Sequence, residues 1–124
     1  MRTRTIDGMA VLIPDGKLVA GEEIDRLEVV LKRLSSKGVY DVIIDCSSVR
    51  RIDGVGLGVL ISGYSNFVRR GGRFMLACVN KKLENAFTIT KLALVFDVYP
   101  TVDEAITALS KPQPKSIPSE RSPK

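Results

Sequence analysis

No histidine and no tryptophan occur among the 124 residues, and there are only three tyrosines, four phenylalanines and two cysteines. Without imidazole, Ser-His and Cys-His nucleophilic catalysis and imidazole metal sites are excluded. The cysteines stand in apolar runs, Ile43-Ile44-Asp45-Cys46 and Met75-Leu76-Ala77-Cys78, where a thiol behaves as a small buried hydrophobe. They are not spaced as C-x-x-C, so neither a vicinal redox pair nor a zinc site is expected. No stretch approaches the ~18–20 unbroken apolar residues of a membrane helix. The opening Met1-Arg2-Thr3-Arg4-Thr5 carries charge but no apolar run behind it long enough for a secretory signal. These absences lead to the expectation of a reduced, cytoplasmic protein without direct membrane insertion.

The composition that remains is globular, with 44% hydrophobic and 27% charged residues and a mean hydropathy of +0.09. One domain of this length buries about two-thirds of its unfolded surface and stands without disulfide or metal. The net charge of +5 is unevenly placed. Residues 111–124 hold Lys111, Lys115, Arg121 and Lys124 against Glu120, a net of +3, whereas residues 1–110 hold 15 basic against 13 acidic groups, a net of +2. The same last stretch contains four of the six prolines and one aliphatic residue. It cannot bury enough apolar surface to offset its ordering entropy. The division expected is a folded domain over 1–110 and a disordered basic, Pro-rich tail over 111–124.

Within the domain, Met9 to Pro14 reads as a strand pairing with an extended Thr3 to Asp7 through an Asp7-Gly8 turn. A short strand around Lys17 to Val19 comes next. Ile24, Leu27, Leu31 and Leu34 then recur at helical spacing, with Glu22 and Glu23 at the start and Gly38 at the stop. Tyr40 to Cys46 reads as a strand covered on both faces. A second helix is expected over Val55 to Arg70, with Leu57, Leu60, Ile61, Tyr64, Phe67 and Val68 on its inner stripe. Arg73 to Val79 is a strand, 81–91 a helix, and Val95 to Tyr99 a strand. Thr101-Val102-Asp103-Glu104 has the form of a capping box opening the last helix. Such alternation predicts an α/β domain, a small, mainly parallel mixed sheet packed with four helices.

Chemical interest concentrates where the apolar strand gives way to a loop, Asp45-Cys46-Ser47-Ser48-Val49-Arg50-Arg51-Ile52, and Asp53-Gly54-Val55-Gly56-Leu57-Gly58 opens a helix. Asp53 is placed to accept from the first free N–H groups of a helix. Three readings of the glycines stand side by side. In a dinucleotide fingerprint they would cradle a pyrophosphate and serve a nucleotide-binding enzyme, but the third glycine that this pattern needs is Val59. In a structural reading they permit tight packing of helix on sheet. In the third they let another chain approach the backbone.

Asp45 and Asp53 have no third acid, histidine or nucleophile beside them, so neither catalysis nor a metal is expected. Arg50-Arg51, Arg69-Arg70 with Arg73, and Lys81-Lys82 read as solvated element ends, with an anionic contact as the alternative. Without an evident aromatic stacking platform, nucleic acid is not an expected partner.

The run Val42-Ile43-Ile44-Asp45-Cys46-Ser47-Ser48-Val49-Arg50-Arg51-Ile52-Asp53-Gly54-Val55-Gly56-Leu57-Gly58-Val59-Leu60 resembles the signature of the STAS domain family. That family includes bacterial anti-sigma factor antagonists and the C-terminal domains of sulphate transporters. Its pattern is an apolar strand, Asp-Leu-Ser-x-Val, an apolar residue, then Asp-Ser-Ser-Gly-Leu-Gly-x-Leu. Gly16-Lys17-Leu18 before the first helix resembles the family's first loop, and Val95 to Ala105 resembles its closing strand and helix, so the likeness spans roughly residues 5–109.

The resemblance implies a noncatalytic protein–protein module in a partner-switching pathway that regulates transcription, with no cofactor. The implied partner is an anti-sigma factor that is also a serine kinase of the histidine-kinase-like ATPase type. Docking is expected through Asp53, Gly54, Val55, Gly56, Leu57, Gly58 and Ser62. In the family the first Ser after the Asp is commonly the phosphoacceptor; phosphate there adds about −1.5 to −2 charges where close approach is needed. Here that position is Gly54, the second Ser is Val55, and the Asp that often follows Gly-x-Leu is Val19. No phosphorylation is therefore expected at Gly54, and Ser47 or Ser48 is the alternative for a displaced switch. A cytoplasmic STAS subunit of a membrane lipid-transport complex, bound to an ABC transporter ATPase, is the alternative within the same fold.

Overall fold

Strands form where apolar residues run on, and helices where they recur every third or fourth position. The computed structural model describes residues 1–6 and 8–110, so the tail expected over 111–124 and Asp7 of the first turn lie outside the described residues. Strand β1 (Arg2–Ile6) runs antiparallel to β2 (Met9–Ile13), with Arg2 opposite Ile13 and Ile6 opposite Met9. The short β3 (Gly16–Leu18) leads into α1 (Glu22–Ser36), then β4 (Asp41–Asp45), β5 (Val49–Ile52) and α2 (Gly54–Arg69). After β6 (Arg73–Ala77) come α3 (Lys81–Ile89), a single 3₁₀ turn at Leu92–Leu94, β7 (Asp97–Tyr99) and α4 (Val102–Ser110).

Five strands form the main sheet in the order β1-β2-β4-β6-β7, parallel at every pairing except β1 with β2. Each crossover from β2 onward steps the same way across the sheet. Right-handed connections then place the intervening helices on one face. Strand alternation sorts the side chains accordingly. Ala10, Leu12, Val42, Ile44, Phe74 and Leu76 pack with Ile24, Leu27, Leu31, Leu60, Phe67 and Phe87 from α1, α2 and α3. Met9, Val11, Ile13, Ile43, Met75 and Ala77 face the other way, against Ala105, Ile106 and Leu109 of α4. This is why β2, β4 and β6 read as unbroken apolar runs: both faces are covered. Each fully buried Leu or Phe here is worth roughly 2–3 kcal/mol of transfer free energy.

Helix ends follow local chemistry. Helix α1 closes with Gly38 at φ +85°, Gly38 N–H donating to Ser35 O (3.2 Å) and Val39 N–H to Leu34 O (3.1 Å). Helix α2 repeats the arrangement with Gly71 at φ +88° and Gly72 N–H donating to Phe67 O at 2.9 Å. A left-handed residue at this position is most easily glycine. Thr101 Oγ1 accepts from Glu104 N–H at 3.1 Å, as the capping-box spacing predicts.

Two expectations change. Val49–Ile52 is a strand and not a loop; β5 pairs with β3 in a separate two-stranded parallel ribbon. The inner stripe of α2 is Gly56, Leu60, Gly63 and Phe67, while Ile61 and Val68 are 40% and 42% exposed. Glycine carries no hydropathy signal, so the stripe was displaced toward the aliphatic neighbours. Gly63 lets α2 sit close, because a Cβ there would stand 2.8 Å from Phe74 Cε2 and 3.1 Å from Leu31 Cδ1.

Cys46 is fully buried, and burial together with Asp45 pushes its thiol up to about 12. Cys78, also expected to be buried, is only half-buried because β6 ends at Ala77 and the chain turns at Cys78 (φ +60°); its thiol is raised by burial, with Asp45 adding to the shift. Thiolate is the reactive species. Cys46 is accordingly expected to resist a disulfide-exchange reagent at pH 8 in the native protein and to label once the fold opens. Rapid labelling of Cys46 without denaturant, followed by peptide mapping, would contradict its placement.

Candidate functional site

The turn between β4 and α2 is built from short backbone ties. Asp45 Oδ1 accepts from Ser47 N–H at 2.9 Å, and Val49 N–H donates to Cys46 O at 3.0 Å, reversing the chain after the strand. Ser47 is exposed and Ser48 half-buried, and Ser48 O accepts from Gly16 N–H at 2.9 Å. Strand β5 then runs beside β3, and Asp53 N–H donates to Leu18 O at 3.3 Å.

Asp53 is the N-cap of α2. Its Oδ1 accepts from Gly56 N–H at 3.0 Å, and its Oδ2 accepts from Ala20 N–H at 3.2 Å, so one carboxylate ties the helix start to the loop before α1. The Gly56 N–H, helped by Ala20, holds this carboxyl below its ordinary value of 3.8. A depressed folded pKa stabilises the protein fully above the unfolded value, and that contribution disappears as pH falls through the folded one. Asp53→Asn is expected to melt lower than the wild type at neutral pH. The gap should stay constant down to the ordinary carboxylate range and close below it; thermal scans from neutral to strongly acid pH read this directly.

The three glycines divide by environment. Gly56 is buried, and a Cβ on it would overlap the carbonyl oxygen of Leu18. This is the close helix-on-backbone packing of the structural reading. Gly54 and Gly58 are exposed, and a Cβ on either would meet nothing within 4 Å. Their absence of side chain is thus not required by the fold. Val55 between them is 48% exposed, and Leu57 is half-buried against the core.

Along α2 the open surface continues into a groove of about 580 Å³ between α1 and α2, with Gly58, Ile61, Ser62, Ser65 and Arg69 on one side and Lys32 on the other. Of the expected docking residues, the structure brings Gly54, Val55, Gly58 and Ser62 to one solvent-facing side, while Leu57 is turned mostly toward the core. Asp53 holds the turn rigid from below, and Gly56 acts only through packing. Sequence reasoning missed Leu18 O and Ala20 N–H as the anchors of this turn. Both anchors are backbone atoms, which leave no side-chain trace in the sequence.

The arrangement bears on the nucleotide reading. Gly56 N–H, the donor that a bound pyrophosphate would seek at the helix start, already serves the Asp53 carboxylate. A phosphate there would face that negative charge. Asp45 and Asp53 are each engaged in local hydrogen bonds, and among the described residues no group of three or more His, Cys, Asp or Glu is placed to hold a metal ion. Among the same residues no helix is long and apolar enough to cross a membrane.

A small α/β domain of this topology, with an Asp-capped, glycine-rich helix start at the end of a central strand, is the architecture of the STAS domain. The STAS profile spans residues 1–105, and the chain belongs to that family. A Thermotoga maritima protein assigned as an anti-sigma factor antagonist is 26% identical over 103 residues, covering 83% of this chain and 91% of its own length. The crystal structure of an anti-sigma factor antagonist from Thermotoga maritima superposes with a TM-score of 0.77 at 23% identity, over 89% of this chain and 94% of that one. An anti-sigma factor antagonist from Mycobacterium paratuberculosis gives 0.76 at 23% identity, over 89% and 92%. The Bacillus cell fate determinant SpoIIAA in its phosphorylated form gives 0.71 at 16% identity, over 86% and 96%. At these identities the superpositions speak to the fold, which agrees with the expected mainly parallel sheet and four helices.

Proposed function

We propose that this chain is a noncatalytic anti-sigma factor antagonist of a partner-switching pathway, acting in a bacterial cytoplasm. Its docking surface is the start of α2: Asp53, Gly54, Val55, Gly56, Leu57, Gly58 and Ser62, with Asp53 and Gly56 shaping the turn and the others meeting the partner. The partner is an anti-sigma factor built as a histidine-kinase-like ATPase. The observation that carries this reading is the pair of exposed glycines with open space over them, flanking a half-exposed valine. Glycine lowers helix stability by ~1 kcal/mol relative to alanine in a helix interior. Gly58 carries that penalty for no packing reason, and what it provides is a backbone that another chain can approach closely.

Gly54 has no hydroxyl, so the position where the family's switch usually sits takes no phosphate, and the surface stays competent for docking. The test is capture of partners from native lysate with wild type and Gly54→Glu in parallel. Recovery of the ATPase-type anti-sigma factor by wild type and its loss in the variant is the expected result. Equal recovery by both would overturn the surface, and recovery of a transporter ATPase in its place would overturn the pathway.

A further inference from the structure

We infer that the docking surface selects an acidic protein segment, which it recognises through Lys17 and Arg51 on the outer face of the β3–β5 ribbon, with Arg50 beside them. The register is the starting point. Gly16 pairs with Val49, Lys17 with Arg51 and Leu18 with Ile52, so the ladder skips Arg50. This one-residue bulge lets both Val49 and Ile52 turn toward the core, although they are three apart. Leu18, opposite Ile52, is fully buried. Lys17 and Arg51 therefore share the opposite, solvent face as direct cross-strand neighbours, and both are exposed, as is Arg50.

Like charges directly opposed across a ladder destabilise it. Among the described residues the ion pairs join the N-terminus and Arg26 to Glu23, Lys32 to Glu28, and Lys81 to Glu84; none reaches Lys17, Arg50 or Arg51. Asp53, next along the same segment, has its carboxylate committed to Gly56 and Ala20. Helix α3 abuts the ribbon, its cap residue Asn80 donating to Val49 O at 2.7 Å, and its first turn adds the exposed Lys82. The fold thus carries an uncompensated repulsion immediately beside the exposed Gly54-Val55 turn.

A chain with opposite charge removes that repulsion on docking. Arg50 and Arg51 come just before the half-exposed, apolar Val55 in the chain, with Lys17 paired to Arg51, which matches an acidic segment with an apolar residue in it. Residues 1–110 as a whole hold 15 basic against 13 acidic groups, a near balance that gives the domain little general attraction for a nucleic-acid backbone.

The inference rests on the docking reading above, but its test does not need that partner. The full ¹⁵N-labelled chain is titrated with a Glu-rich peptide containing one leucine, and separately with a single-stranded DNA oligonucleotide of equal net charge. The peptide is expected to shift the amide signals of 16–18, 49–52 and 54–55, and to bind about tenfold more weakly to Lys17→Glu/Arg51→Glu. Lys17→Glu alone is expected to weaken binding while raising the Tm by about 2 °C, because it turns a repulsive pair into an attractive one. A merely structural role for Lys17 would move stability the other way. Unchanged peptide binding in the charge reversals, shifts confined to other residues, or tighter binding of the DNA would each overturn the inference. Insensitivity of partner capture to Gly54→Glu would instead remove the docking reading, whatever the peptide does.

Discussion

Gly56→Ala is expected to destabilise the protein by about 3 kcal/mol or more, lowering the Tm by roughly 15 °C. The added methyl would overlap Leu18 O, and it would stand 2.9 Å from Ile52 Cγ1 and 3.0 Å from the Leu18 carbonyl carbon. Two of these three neighbours are backbone, so no rotamer change relieves the clash. The same Leu18 oxygen accepts from Asp53 N–H, so pushing the strands apart also weakens the tie that fixes the cap. Alanine's helix preference over glycine, ~1 kcal/mol, recovers only part of this. Gly58→Ala is the internal control: its methyl enters open space, and the variant is expected to be as stable as wild type or up to ~1 kcal/mol more stable. Urea denaturation of the pair measures the difference. Equal stability of the two variants would mean that α2 does not lie against the β3 backbone.

Gly54→Glu is expected to reduce affinity for the partner by about a hundredfold or more while leaving the fold intact. An unpaired carboxylate forced into a close interface costs about 3–5 kcal/mol, which corresponds to two orders of magnitude in affinity or beyond. Two features protect the fold. The Cβ position at Gly54 is empty to 4 Å, and an acidic side chain in the first helical turn is favourable toward the N-terminal dipole. The variant should therefore melt at or slightly above the wild-type temperature. Titration calorimetry against the captured partner, paired with a thermal scan, separates the two effects. Wild-type affinity in a variant with undiminished Tm would place the docking surface elsewhere.

The parts of this fold that were legible are those written in side-chain hydropathy. Ile24, Leu27, Leu31 and Leu34 lie on the buried stripe of α1, and the apolar runs of β2, β4 and β6 are the covered strands of the sheet. What escaped is written in the backbone. Val49-Arg50-Arg51-Ile52 reads as a loop because the alternation expected of a strand is broken by one residue, and that break is the bulge opposite Gly16 and Lys17. Ile61 and Val68 were drawn inward because a 3.6-residue stripe centred on large side chains passes through them. The true stripe is set by Gly56 and Gly63, where Leu18, Leu31 and Phe74 come close. In the site, the capping role of Asp53 followed from residue type and spacing. The division of labour among Gly54, Gly56 and Gly58 required the neighbour that each does or does not have.

The sheet's covering is lopsided in time as well as in space. Three helices shield one face and are interleaved with the strands they cover, whereas the opposite face waits for α4, the last described element in chain order. During synthesis, a nascent chain that has emerged only as far as β7 presents Val11, Ile13, Ile43 and Met75 to the surroundings without Ala105, Ile106 and Leu109 to close over them. The interval between the emergence of Tyr99 and that of Leu109 from the ribosome is thus when this protein most resembles a chaperone client.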